Sequence, residues 1–171
     1  MDVLFLDFDG VINNCKDIPM TLPMTLHDGS ITRATVWSPS CIKPFIELME
    51  WCYDNNINLV ISSTWRLTMT VEDFNNYFRV YFERVKMPKV VGLTEVTLYP
   101  LYMHRGTEIS NYLKNNDVNK WVVVDDNIED IIDTLPEEHI VKIEATTGLT
   151  DLYIEEIKKR FMTKNIIYFD I

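Results

Sequence analysis

Asp7 and Asp9 stand one residue apart at the end of the apolar run Val3-Leu4-Phe5-Leu6, and Gly10 follows them. Carboxylates this close repel one another, so the pair suits a site where a hard divalent cation sits between them. Asp-x-Asp-Gly also suits a plain turn, in which Asp and Gly supply local hydrogen bonds and permissive dihedrals. A second acidic pair, Asp125-Asp126, closes the apolar run Trp121 to Val124. Between the two, Ile57 to Ile61 ends in Ser62-Ser63-Thr64-Trp65-Arg66. A hydroxyl and free backbone N–H groups right after a strand are what a phosphoryl group needs from its protein. Arg66 reads either as a bidentate phosphate ligand or as a surface charge on a buried stem. Trp65 reads either as a stacking face for a base or as packing. Arg105 opens a helical pattern, where the helix dipole favours acids over cations, so it serves something other than helix stability.

The elements that must position these groups are legible from the same runs. Short β-branched stretches bounded by turn residues predict strands buried on both faces, as in a parallel sheet: Val3–Leu6, Ile57–Ile61, Val90–Gly92, Trp121–Val124 and Ile140–Ile143. Helical periodicity lies between them, with Ser38-Pro39-Ser40 as a start signal, a helix over Thr70–Glu83 capped by Thr70, one opening at His104-Arg105 and closing at Asn115-Asn116, and a last one behind Thr150. Alternation of strand and helix predicts an α/β fold, and open α/β sheets place ligands at the carboxyl ends of their strands, where the acids and serines stand. Ile166-Ile167-Tyr168-Phe169 suits an extra edge strand.

The 171 residues fit one domain over 1–171, with no Gly/Ser- or Pro-rich linker dividing them. Residues 13–37 break the pattern with Pro19, Pro23, Met-Thr repeats and the turn-like His27-Asp28-Gly29-Ser30, and are expected to form a lid or small hairpin insertion. His27 there is a substrate contact or an ordinary loop histidine. Cys15, Cys41 and Cys52 lack metal-ligand spacing, and the last two fit the apolar stripe of one helix, as core thiols do. A net charge of -10 argues against an extended basic surface for nucleic acid, but not against a nucleic-acid end held in a local pocket. No apolar run reaches the length of a membrane span and no cleavable leader opens the sequence, so a cytoplasmic protein with no membrane partner is expected.

Four strand-end motifs in this order resemble the haloacid dehalogenase (HAD) superfamily of aspartate-nucleophile phosphohydrolases, with Val11 where many members carry Thr. More narrowly, Ser62–Arg66, Arg105–Ile109, Val124-Asp125-Asp126 and Thr147-Gly148-Leu149-Thr150 are similar to small HAD domains associated with RNA-repair proteins, which are thought to resemble polynucleotide 3′-phosphatases. The resemblance implies a Rossmann-like parallel five-stranded sheet of order 5-4-1-2-3, flanked by helices, with residues 13–37 as a minimal cap. It implies Asp7 as nucleophile and Asp9 as general acid and then base. Mg²⁺ would be held by the Asp7 carboxylate, the Asp9 backbone carbonyl and Asp126, with Asp125 in support and Asp130 as an alternative acid. Ser62 ahead of Ser63, together with Arg105 and Arg66, would hold the phosphate of a phosphorylated small molecule or nucleic-acid end. A non-catalytic phospho-ligand binder on the same fold is the contrasting expectation, and the joint presence of nucleophile and acid speaks against it.

Overall fold

The computed structural model describes residues 1–17, 21–35, 37–96 and 104–163. Strands β1 (Asp2–Leu6), β4 (Ile57–Ile61), β5 (Val90–Leu93), β6 (Lys120–Asp125) and β7 (Ile140–Lys142) form one parallel sheet in the order β5-β4-β1-β6-β7. Counted in chain order, its strands run 5-4-1-2-3 from the opposite edge, as the resemblance implied. β1 is central, paired over its whole length with β4 on one side and β6 on the other.

Val3 to Leu6 are fully buried because the sheet is covered on both faces. Strand alternation sends Leu4 and Leu6 to the face packed by α1 (Pro39–Asp54), α2 (Val71–Tyr81) and α5 (Asp151–Met162). Val3 and Phe5 point the other way, into a smaller core with Ile109 of α3 (Arg105–Asn115) and Ile131 of the four-residue helix α4 (Glu129–Ile132). α4 is too short to leave a periodic pattern in the sequence. Cys41 and Cys52 are buried on α1 as free thiols, and Cys15 is exposed.

Helix starts follow the expected residues, with one difference. Thr70 and Asp73 form a reciprocal capping box at α2. Ser38 precedes α1 at the cap position, but its hydroxyl accepts from the Asn14 backbone N–H at 3.0 Å instead of capping the helix. The loop after β1 was a stronger competitor for that oxygen.

Within residues 13–37, β2 (Thr21–Thr25) and β3 (Ile31–Thr35) pair antiparallel as a separate two-stranded hairpin. Its turn is closed by Gly29 at φ +82° and by Asp28, whose carboxylate accepts from the Ser30 N–H and hydroxyl. Asp73 ties this turn to α2 by accepting from the His27 backbone N–H and pairing with its Nδ1 at 2.9 Å. Burial pushes the Asp73 carboxyl up, but hydrogen bonds from Thr70 and His27 outweigh it and hold it at about 2. His27 is raised above its ordinary value by the bond to Asp73, with Asp28 and Glu72 adding to the pull. The pair's contribution to stability is therefore full below the ordinary histidine value, down to the carboxylate range. It fades as pH rises through the raised His27 value, and again as pH falls through about 2. The melting-temperature advantage of the native chain over His27→Gln should shrink from mildly acidic to alkaline pH; a constant gap would mean that charge does not latch the turn.

The expected edge strand at Ile166–Phe169 and part of the loop before α3 lie outside the described residues. Among the described residues no helix is long and apolar enough to cross a membrane.

Candidate active site

The carboxyl ends of β1, β4 and β6 are aligned by backbone bonds that continue one residue past the strands: Asp7 N–H donates to Val124 O and Ser62 N–H to Leu6 O, both at 3.1 Å. This brings Asp7, Ser62 and Asp125 to one edge of the sheet although they lie far apart in sequence. Oxygens of Asp7, Asp125 and Asp126 fall within 4.8 Å of one another. Arg105, at the first turn of α3, donates through one Nη to Asp7 at 2.8 Å and to Asp125 at 2.5 Å. Burial alone would lower the Arg105 pKa, but the Asp125 and Asp7 charges outweigh it and raise it. Burial first, and the Asp7 charge second, push both Asp125 and Asp126 above the usual carboxylate range. A cluster of oxygen donors whose charges oppose one another, and only part of which a cation already neutralises, fits a hard divalent metal. Asp125 is the member already committed elsewhere, to Arg105 and to the Asn127 N–H.

Residues 8–13 wrap tightly above the cluster. The Phe8 carbonyl accepts from the N–H groups of Val11, Ile12 and Asn13, and Gly10 donates to the Asn13 carbonyl. Gly10 has φ +80°, and a Cβ there would stand 2.3 Å from the Asp126 carboxyl, so only glycine lets Asp126 approach the loop. Gly148 (φ +65°) fastens the same loop from the far side: Leu149 N–H donates to Val11 O at 2.7 Å, and a Cβ on Gly148 would lie 2.6 Å from Cys41 Sγ. The Thr147-Gly148-Leu149-Thr150 stretch thus braces the segment that carries the acids.

Asp7 and Asp9 are placed differently although only Phe8 separates them. Asp7 is buried and ion-paired; Asp9 is exposed, with its carboxylate accepting from Trp65 Nε1 at 3.1 Å and Asn13 Nδ2 at 3.3 Å. The Ser62 hydroxyl is buried and has no hydrogen-bond partner among the described residues, an orphan that a ligand oxygen would satisfy. Ser63 Oγ instead caps the 3₁₀ turn Thr64–Leu67 by accepting from Trp65 N–H.

Arg66 is not where either sequence reading put it. It is buried, and its donors go to the carbonyls of Ser62, Ser63 and Thr94 and to the Glu108 carboxylate. It is a brace behind the serine loop rather than a phosphate ligand, because those acceptors at the ends of β4 and β5 outcompete an exposed position. Asp130 also lies apart from the cluster: it accepts from Gly106 N–H at the start of α3, the anionic partner that Arg105 does not provide there. His27 and His104 are outside the cluster. Glu108, the acid that pairs with Arg66, is a residue the sequence does not single out: sharing a helical face with Arg105 and Tyr112 does not set it apart from the other polar positions of α3.

The family described as the HAD domain in Swiss Army Knife RNA repair proteins matches residues 3–154. The chain belongs to that family. Its HAD fold supports phosphohydrolase chemistry in general, and all the groups described above fall inside the matched span. No curated protein matches the chain significantly.

Proposed function

We propose that this HAD domain is a Mg²⁺-dependent phosphomonoesterase that works through an aspartyl-phosphate on Asp7, with a nucleic-acid 3′-phosphate end as substrate. The observation that carries the reading is the contrast between a buried, cation-bonded Asp7 and an outward-facing Asp9 two residues on. Such a pair divides nucleophile from proton donor.

In the first half-reaction a carboxylate oxygen of Asp7 bonds to phosphorus as the ester P–O bond breaks. Asp9 passes its proton to the departing alkoxide. In the second, Asp9 takes a proton from the water that attacks the phosphoaspartate, which frees inorganic phosphate and restores Asp7. Ser62 Oγ and Arg105 hold phosphoryl oxygens through both steps, and Arg105 also keeps Asp7 in position. Mg²⁺, held by the carboxylates of Asp7 and Asp126 and the carbonyl of Asp9, would supply neutralisation of the charge on nucleophile and phosphoryl group. Asp125 supports the set through Arg105 and Asn127.

The substrate class is supported by the RNA-repair setting of the family and by the exposure of Asp9 at the mouth of the site. A chain of net charge -10 gains little affinity from a run of backbone phosphates, which favours capture of one terminal phosphate. The hairpin of β2 and β3 is read as a minimal cap that leaves the mouth open. With Mg²⁺ present, a 3′-phosphorylated oligonucleotide should be hydrolysed with higher kcat/KM than the matching 5′-phosphorylated one, a nucleoside 3′-monophosphate or a sugar phosphate. Equal values across the panel would remove the nucleic-acid end and leave a metabolite phosphatase.

A further inference from the structure

We propose that Trp65 is a positioning residue for Asp9: its indole N–H fixes the carboxyl so that Oδ1, not Oδ2, carries the proton delivered to the leaving group. The proposal rests on the phosphatase reading above and adds to it the device that aims the acid.

Asp9 needs such a device. Its side chain is exposed and forms no ion pair among the described residues, and without Trp65 the carboxyl would be held at the mouth of the site by the longer Asn13 contact. Trp65 Nε1 lies 3.1 Å from Oδ2. An indole N–H donates and never accepts, so Oδ2 bonded to it remains an acceptor, and the oxygen left to bear a proton is Oδ1. The partner of Oδ1 is weaker, the Asn13 amide at 3.3 Å.

The donor is itself held. Trp65 sits in the 3₁₀ turn braced by Arg66, and its ring meets Phe8 edge-on at 5.0 Å and Tyr77 at 6.2 Å. Phe8 is the residue between Asp7 and Asp9, and is 1% exposed. Tyr77 is fixed in turn by the Trp37 indole, which donates to its hydroxyl. An aromatic wall anchored in the core therefore sets the direction of one N–H, and that N–H sets the acid. Neither a stacking face nor passive packing accounts for an indole nitrogen aimed at this carboxylate.

Protonation of the leaving group matters when an alkoxide departs and little when a phenolate does. The test compares kcat/KM on benzyl phosphate and 4-nitrophenyl phosphate, with Mg²⁺, for the native chain, Trp65→Phe and Asp7→Asn. kcat/KM covers only the steps through departure of the leaving group, so the role of Asp9 as base drops out. Trp65→Phe keeps the ring against Phe8 and removes the N–H. It should lower the benzyl value about tenfold and the nitrophenyl value less than about twofold, a fraction of the full effect of a general acid. An equal fall on both, as lost packing would give, or no fall on either, overturns the proposal. Native activity that survives in Asp7→Asn would sink the aspartyl-phosphate reading on which the proposal rests, a separate failure.

A second measurement needs neither turnover nor the Trp65 variant. In a ¹⁵N–¹H spectrum, the Trp65 indole N–H signal should move upfield in Asp9→Ala while the signals of Trp37, Trp51 and Trp121 stay in place. A Trp65 signal that does not move overturns the contact.

Discussion

Asp7→Asn should abolish phosphate release, with a loss on the order of 10⁴-fold or more in kcat, while the protein melts at or above the native temperature. The two halves of this expectation have different causes. An amide has the shape of the carboxylate but is no nucleophile, so the covalent step is lost without a change in volume. The fold keeps the backbone bond from Asp7 N–H to Val124, and Arg105 keeps its pairing with Asp125. Replacement of Asp7 also removes one of three mutually repelling carboxylates whose oxygens lie within 4.8 Å. The charge that makes the chemistry is thus a cost to the metal-free fold. Phosphate release and thermal unfolding, measured on the same preparation, check both halves. Residual activity above about a hundredth of native would show that Asp7 is not the nucleophile, and a large fall in melting temperature would show that its pairing with Arg105 outweighs the repulsion.

The parts of this site that were legible in the sequence are those fixed by strand ends. An apolar run that stops at an acid or a serine marks both a buried strand and the residue at its carboxyl end, and a parallel sheet then gathers those ends whatever their separation. Asp7, Ser62, Asp125 and Asp126 are brought together in this way. Arg105 was legible for a different reason, as a cation in a place the helix dipole disfavours. What could not be read was the direction in which a side chain turns once its backbone is placed. Trp65 and Arg66 are adjacent on one 3₁₀ turn, yet one reaches the mouth of the site and the other the interior behind it. The partner that draws Arg66 inward, Glu108, lies 42 residues away on a helix whose polar positions look alike. The hairpin strands carry no clean alternation, and Pro23 on one of them reads against a strand, so the sequence offers a hairpin in residues 13–37 as one of two expectations but not its strand bounds or register.

Glu108→Ala should be the most destabilising single substitution of a polar residue near the site, at about 3–5 kcal/mol, because it strands the Arg66 guanidinium in the interior. Both side chains of the pair are at most 1% exposed, and burial already pulls the Arg66 pKa below its ordinary value, against the opposing pull of Glu108. For a domain of this size that loss corresponds to a fall of about 10 °C in melting temperature. Replacing both partners, Arg66→Met with Glu108→Leu, removes the buried charges together and should recover part of the stability, since a packed apolar pair often matches a buried ion pair. Recovery stays incomplete because methionine cannot donate to the Ser62, Ser63 and Thr94 carbonyls. Activity should not recover with stability. Those carbonyls belong in part to the loop that presents the Ser62 hydroxyl and the Trp65 indole, and without the Arg66 brace that loop loses its fixed relation to Asp7 and Asp9. Urea unfolding of both variants, set beside kcat/KM on an aryl phosphate, separates the two effects. A double variant that regains activity in proportion to stability would mean that Arg66 holds the fold alone and not the geometry of the site.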